Sequence, residues 1–206
     1  MASPAFMTQY MDAVRDLAQQ VQYTDGAGQT LDDGAAADWV VSTARKAHDT
    51  GYKLMFIGNG GSAGTASHLA IDCTKNANLR SLAFNDAASL TCLGNDLGYD
   101  SVFSKQIEMQ GRDGDLLIAI SASGTSPNIL KAVDAAKKMG ITVFTLSGFK
   151  PDNPLRASGD LNAYIPSDQY GLVEVLHFAV LQAVFDISMG WDGRVMGKGP
   201  LSPVAG

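Results

Sequence analysis

Two short runs hold most of the residues whose types and spacing could do chemistry. GNGGSAGTASH, at Gly58–His68, follows the apolar run KLMFI, and SASGTS, at Ser121–Ser126, follows DLLIAI. A loop that leaves the carboxyl end of a parallel strand and opens a helix is where open α/β sheets bind ligands. Gly58, Gly60 and Gly61 let backbone N–H groups come close to an anion. Ser62 falls near a helix start, where amides are unpaired and the macrodipole is positive. In the second run Ser121, Ser123, Thr125 and Ser126 offer hydroxyls around a flexible Gly124, and Pro127 suits a first helical turn. Such neutral donors can surround a phosphate. Either run alone would be explained by small residues that cap helices; two after two strands of one sheet favour an anion cradle. A competing reading is dinucleotide binding, because GNGGSA fits GxGxxA and Asp86 follows the next strand where a ribose-binding acid would sit.

His68 and Asp72 are four residues apart and share one helix face. A histidine and a carboxylate so placed can exchange protons with a ligand or bind a metal ion together. His48, near the end of another expected helix, is read as a partner of its C-terminal dipole.

Several elements must position these groups. Apolar residues recur every three or four positions over Ala5–Tyr23, and Ala35–Asp49 reads as a second helix after the break TDGAGQTLDDG. KLMFI, LRSLAF, DLLIAI, ITVFTLS and LNAYIP read as strands. Helices are expected over Ser62–Lys75, Ser101–Gln110, Pro127–Met139 and Gly171–Met189, and DAASLTCLGND as a short helix and loop. Strands apolar throughout, alternating with helices, indicate a doubly wound α/β fold with a five-stranded parallel sheet. A single domain is expected over 1–189, with a Gly/Pro-rich tail over 190–206.

A net charge of −6 excludes general nucleic-acid binding, which needs a basic face. Cys73 and Cys92 form no CxxC motif and read as reduced, buried thiols. No signal-peptide pattern or membrane-length apolar run is evident, so a cytoplasmic protein with no membrane partner is expected.

GNGGSA, LGND, ISASGTSPNIL and TLSGF together resemble the sugar isomerase (SIS) domain, and within it the sedoheptulose-7-phosphate, or phosphoheptose, isomerases. The resemblance implies a flavodoxin-like parallel sheet and a homotetramer with active sites built from more than one subunit. It implies conversion of a ketose phosphate to an aldose phosphate in heptose biosynthesis, often with zinc and without an organic cofactor. Asn59, Gly60, Gly61, Ser62, Ser121, Ser123 and Ser126 would surround the phosphorylated sugar, with Asn95 and Asp96 near it. SIS domains also serve as non-catalytic sugar-phosphate sensors and as a DnaA-binding replication initiation factor, which leaves a binding module as the alternative.

The reaction needs a base for a carbon-bound proton and an acid for oxygen. His68 lies about 9 Å along the helix from Ser62, on the order of the reach of a seven-carbon sugar phosphate. The family's last helix carries Gln-Glu-x-His and a second histidine five residues after the first. Anchoring His177 as the first histidine puts Glu174 at the glutamine position and Gln182 at the second histidine; anchoring it as the second puts Gln169 there instead. The first register is preferred, because Gln169 precedes the expected helix. Asp72 stands where the family has glutamate, and Gln182 cannot exchange protons at neutral pH. Asp72 or Glu174 is the expected base, His68 or His177 the proton donor, and His68, Asp72, Glu174 and His177 the expected zinc ligands.

Overall fold

The computed structural model describes residues 5–193. The tail beyond Gly193 lies outside the described residues. In chain order the elements are α1 (Phe6–Ala18), β1 (Gln22–Asp25), β2 (Thr30–Leu31), α2 (Asp33–Asp49), β3 (Leu54–Gly58), α3 (Gly61–Lys75), β4 (Ser81–Ala83) and α4 (Ala87–Leu97). They continue with α5 (Val102–Gln110), β5 (Leu116–Ser121), α6 (Pro127–Lys138), β6 (Thr142–Ser147), β7 (Leu161–Tyr164) and α7 (Tyr170–Ser188). Two short 3₁₀ turns, Tyr99–Ser101 and Pro154–Ala157, precede α5 and β7.

One sheet runs in the order β2-β1-β7-β6-β5-β3-β4. Its five strands β4, β3, β5, β6 and β7 are parallel, as expected. The order reverses at β3 and β5, because the chain leaves β3 towards β4 and returns to the other side of β3 as β5. Their carboxyl ends therefore splay two loops apart at a switch point, which opens the crevice used for ligands in this class of sheet.

The strands read as continuous apolar runs because both faces are covered. Leu54 and Phe56 point to one face, and Met55 and Ile57 to the other. The first pair packs with Val40 of α2, Leu69 of α3, and Leu181 and Phe185 of α7. The second packs with Phe103 and Ile107 of α5 and Ile129 and Val133 of α6. Each such buried side chain contributes about 1.5–3 kcal/mol of transfer free energy. α7 is long and apolar enough to cross a bilayer by length and composition, but Leu176, Leu181 and Phe185 bury its inner side in this core.

The sheet has seven strands, two more than expected. The polar break TDGAGQTLDDG is a hairpin: Asp25 Oδ1 accepts from the N–H groups of Ala27 (2.9 Å) and Gln29 (2.8 Å), and β1 pairs antiparallel with β7 from Gln22↔Tyr164 to Asp25↔Leu161. The hairpin ends α1 at Ala18 and covers the β7 edge. One smaller correction concerns the thiols, while His48 stands in the last turn of α2 as expected. Cys73 is buried, but Cys92 is exposed on α4; both are free. His48 Nδ1 accepts from the Arg80 N–H at 3.1 Å, tying α2 to the start of β4.

Candidate active site

The loops after β3 and β5 meet. Asn59 and Ser62 line a cavity of about 150 Å³ together with Ser121, Ala122, Ser123 and Ser126, and Tyr170 and Glu174 of α7 close its side. A larger cavity of about 450 Å³ lies elsewhere, between the β1–β2 turn and Pro151–Ala157, and contains none of the expected site residues. The smaller one sits at the switch point, where backbone donors converge, and it is the candidate site.

The serines are not merely capping their helices. Ser126 is the N-cap residue of α6, yet its side chain makes no cap bond; its Oγ lies 3.0 Å from Ser121 Oγ. The N-cap of α3 is Gly60, which has no side chain to offer. The positive end of α6 thus faces the cavity without a neutralising side chain, whereas the start of α3 meets the Glu174 carboxylate of α7. Among the described residues, the N–H groups of Gly61, Ser123 and Ser126 have no backbone partner. A tetrahedral oxyanion would satisfy them at the point where the macrodipoles favour negative charge.

Gly124 and Gly61 are required by their surroundings. Gly124 has φ +66°, and a Cβ there would lie 1.9 Å from Asn153 Oδ1. Asn153 is buried and donates to the Gly148 and Lys150 carbonyls at 3.1 and 2.8 Å, so it forms a fixed floor under the SASGTS loop. Gly61 lets α3 approach α7 so closely that a Cβ would meet Glu174 Oε2 at 2.5 Å. This approach seats the Glu174 carboxylate at the start of α3: Glu174 lines the cavity, whereas exposed Gln169 precedes α7 and donates to Asp168 Oδ1 at 3.1 Å.

The remaining candidates lie elsewhere. His68 and Asp72 pair at 3.2 Å on a solvent-facing part of α3, with the His68 ring against Phe178 of α7 at 5.0 Å. His177 is a core residue: it is 1% exposed, and the Ser147 carbonyl accepts from its Nε2 at 3.1 Å. Burial pushes its pKa down to about 4, partly offset by that hydrogen bond. Gln182 donates to Asp186 Oδ1 at 3.0 Å. Asn95 and Asp96 are exposed on α4, bonded to one another at 2.7 Å, and do not line the cavity. Asp86, which the dinucleotide reading required near the first loop, instead caps α4 by accepting from the Ser89 N–H at 2.9 Å.

The four expected zinc ligands are not assembled within one chain. No group of three or more His, Cys, Asp or Glu side chains able to hold an ion occurs among the described residues. The reason is geometric: His177 turns into the core, and His68 and Asp72 face outward.

The sequence reading passed over Asn128, Tyr99, Tyr170 and Asn153. Asn128 reaches Asn59 across the switch point, and Tyr99 reaches the same side chain from the turn after α4. Tyr170 lines the cavity with its ring against Phe149 at 4.7 Å. Asn128, directly after SGTSP, had a local signal in the first turn of α6; the other three come from distant loops.

A doubly wound sheet with two Gly/Ser-rich loops converging at its switch point is the arrangement in which α/β proteins bind anionic ligands. The chain belongs to the SIS domain family, whose profile matches residues 9–148. It is 40% identical over 152 residues to a phosphoheptose isomerase of Rhodospirillum rubrum, covering 71% of this chain and 79% of that one. It is 37% identical over 157 residues to a phosphoheptose isomerase of Akkermansia muciniphila, covering 72% and 82%. The solved phosphoheptose isomerase of Francisella tularensis superposes with a TM-score of 0.76 at 26% identity, covering 91% of this chain and 98% of that one.

Proposed function

We propose that the protein is a ketose–aldose isomerase that converts sedoheptulose 7-phosphate to D-glycero-D-manno-heptose 7-phosphate, in cytoplasmic heptose biosynthesis. One observation carries this reading: the two loops and Glu174 converge on a single cavity. The donors of Ser62, Ser121, Ser123 and Ser126 take the phosphate, and the sugar extends past Glu174 towards His68. Isomerisation moves one proton from carbon to carbon and one from oxygen to oxygen through an enediol. Glu174 is the carboxylate that removes and returns the carbon-bound proton. His68, held by Asp72, relays the proton between the two oxygens. The relatives named phosphoheptose isomerase support the substrate.

The active unit in this reading is an oligomer, a homotetramer as the family resemblance implies. Phe6, Met7 and Met11 of α1, with Ile71, Val175 and Ile187, leave large apolar side chains exposed on this chain, which supports burial against further copies. Where zinc is bound, His68 and Asp72 would hold it in place of the proton relay, with further donors from another copy; light scattering and metal analysis of the purified protein test the assembly and the ion.

The deciding experiment is conversion of sedoheptulose 7-phosphate followed by NMR. The wild type yields an aldose phosphate, and Glu174→Gln lowers kcat by about 10²–10⁴ while still binding phosphate. Absence of turnover by the wild-type oligomer would refute the assignment.

A further inference from the structure

Asn59 is bound on three sides. Its Nδ2 donates to Asn128 Oδ1 at 2.9 Å, and Asn128 Nδ2 donates back to Asn59 Oδ1 at 2.9 Å. The Tyr99 hydroxyl donates to the same Asn59 Oδ1 at 3.0 Å. An amide oxygen has two lone pairs, and here both are filled. Of the whole Asn59 amide, only the second Nδ2 hydrogen is left for a ligand. Asn59 lines the cavity, whereas Asn128 and Tyr99 do not.

We propose that Asn128 and Tyr99 are positioning residues that hold Asn59 in the one orientation that presents an N–H, and no acceptor, to the phosphate end of the substrate. This inference rests on the reading of the cavity as a phosphate site. A freely rotating asparagine would spend part of its time turning its carbonyl towards the anion. Reversing the Asn59 amide alone breaks both bonds to Asn128, sets oxygen against oxygen and NH₂ against NH₂, and makes the Tyr99 hydroxyl accept instead of donate. Asn128 is 2% exposed, so Asn59 cannot turn alone without leaving a buried amide unpaired. The amide pair also joins residues 69 apart in sequence, so the β3 and β5 loops cannot shift independently. Tyr99 adds a third point of support from the turn that follows Gly98, and its ring is 57% exposed.

Tyr99→Phe removes one hydroxyl from an exposed ring and leaves the core intact, so it tests the proposal without risk to folding. Asn128→Ala and Asn59→Ala complete a double-mutant cycle. The measurements are KM and kcat for sedoheptulose 7-phosphate, and the dissociation constant for inorganic phosphate by calorimetry. Tyr99→Phe raises KM and the phosphate constant about three- to tenfold, Asn128→Ala about tenfold or more, and kcat stays within about twofold. In the Asn59→Ala background, neither second substitution weakens binding further. Unchanged phosphate binding in Tyr99→Phe, or full additivity on Asn59→Ala, overturns the proposal. Wild-type protein that binds phosphate but does not turn over the sugar removes the isomerase assignment, and the phosphate arm still decides the roles of Asn128 and Tyr99. Wild-type protein that binds no phosphate removes both.

Discussion

His177 gives the sharpest test, because sequence and structure assign it opposite roles. Its ring is buried in α7 against β6, with Nε2 on the Ser147 carbonyl and Nδ1 without a partner among the described residues. Its pKa falls from 6.5 to about 4 on folding, chiefly through burial. The unfolded chain therefore binds more protons than the folded one between those values, and stability drops as the pH is lowered. The contribution is present in full above about pH 6.5 and is lost progressively down to pH 4. At about 1.4 kcal/mol per pKa unit, the loss reaches about 3 kcal/mol. His177→Gln keeps a donor for Ser147 and removes the titration. Urea unfolding of both proteins at several pH values isolates the effect as a difference, since the carboxylates titrate in each. The wild type loses about 3 kcal/mol relative to the variant between pH 7 and pH 4, while the variant retains kcat within about threefold. A difference that does not change with pH, or a fall in kcat of a hundredfold or more, refutes the assignment of His177 to the core and restores it as a proton donor.

Three further outcomes follow from close contacts. Gly61→Ala displaces the Glu174 carboxylate, whose Oε2 lies 2.5 Å from the new Cβ; the melting temperature changes by only a few degrees, and kcat falls about a hundredfold in the NMR assay. Gly124→Ala meets both a φ of +66° and Asn153 Oδ1 at 1.9 Å, and costs about 2–3 kcal/mol in urea unfolding together with weaker phosphate binding. Asp115 is buried and accepts from the N–H groups of Lys53 and Arg112 (2.9 and 2.8 Å) and from Lys53 Nζ (2.7 Å). Asp115→Asn leaves Lys53 without its counter-charge and destabilises the β3–β5 starts by about 3 kcal/mol, read by the same unfolding assay.

The parallel sheet was legible because strands covered on both faces are apolar at every position, a signal that needs no knowledge of their partners. The hairpin β1–β2 was not. Its strands are short, polar and only partly buried, and they exist because β7 offers an edge and Asp25 closes the turn. The candidate site divides in the same way. Both loops announced themselves by composition, yet Asn95 and Asp96 occur in the family pattern LGND and still sit exposed on a helix, outside the cavity.

The residue order by itself determined the five parallel strands and the helices between them, the two donor loops and the four-residue spacing that pairs His68 with Asp72, because each depends on local geometry or on burial averaged along a strand. Which face of α7 turns inward is a different kind of fact. Glu174 and His177 are three residues apart on one helix; one reaches the cavity and the other fills the core, decided by the close approach of α3 at Gly61 and by the Ser147 carbonyl. The orientation of Asn59 is likewise set by Asn128 and Tyr99, which only the folded chain brings beside it. Periodicity fixes which residues share a face; only packing decides what that face meets.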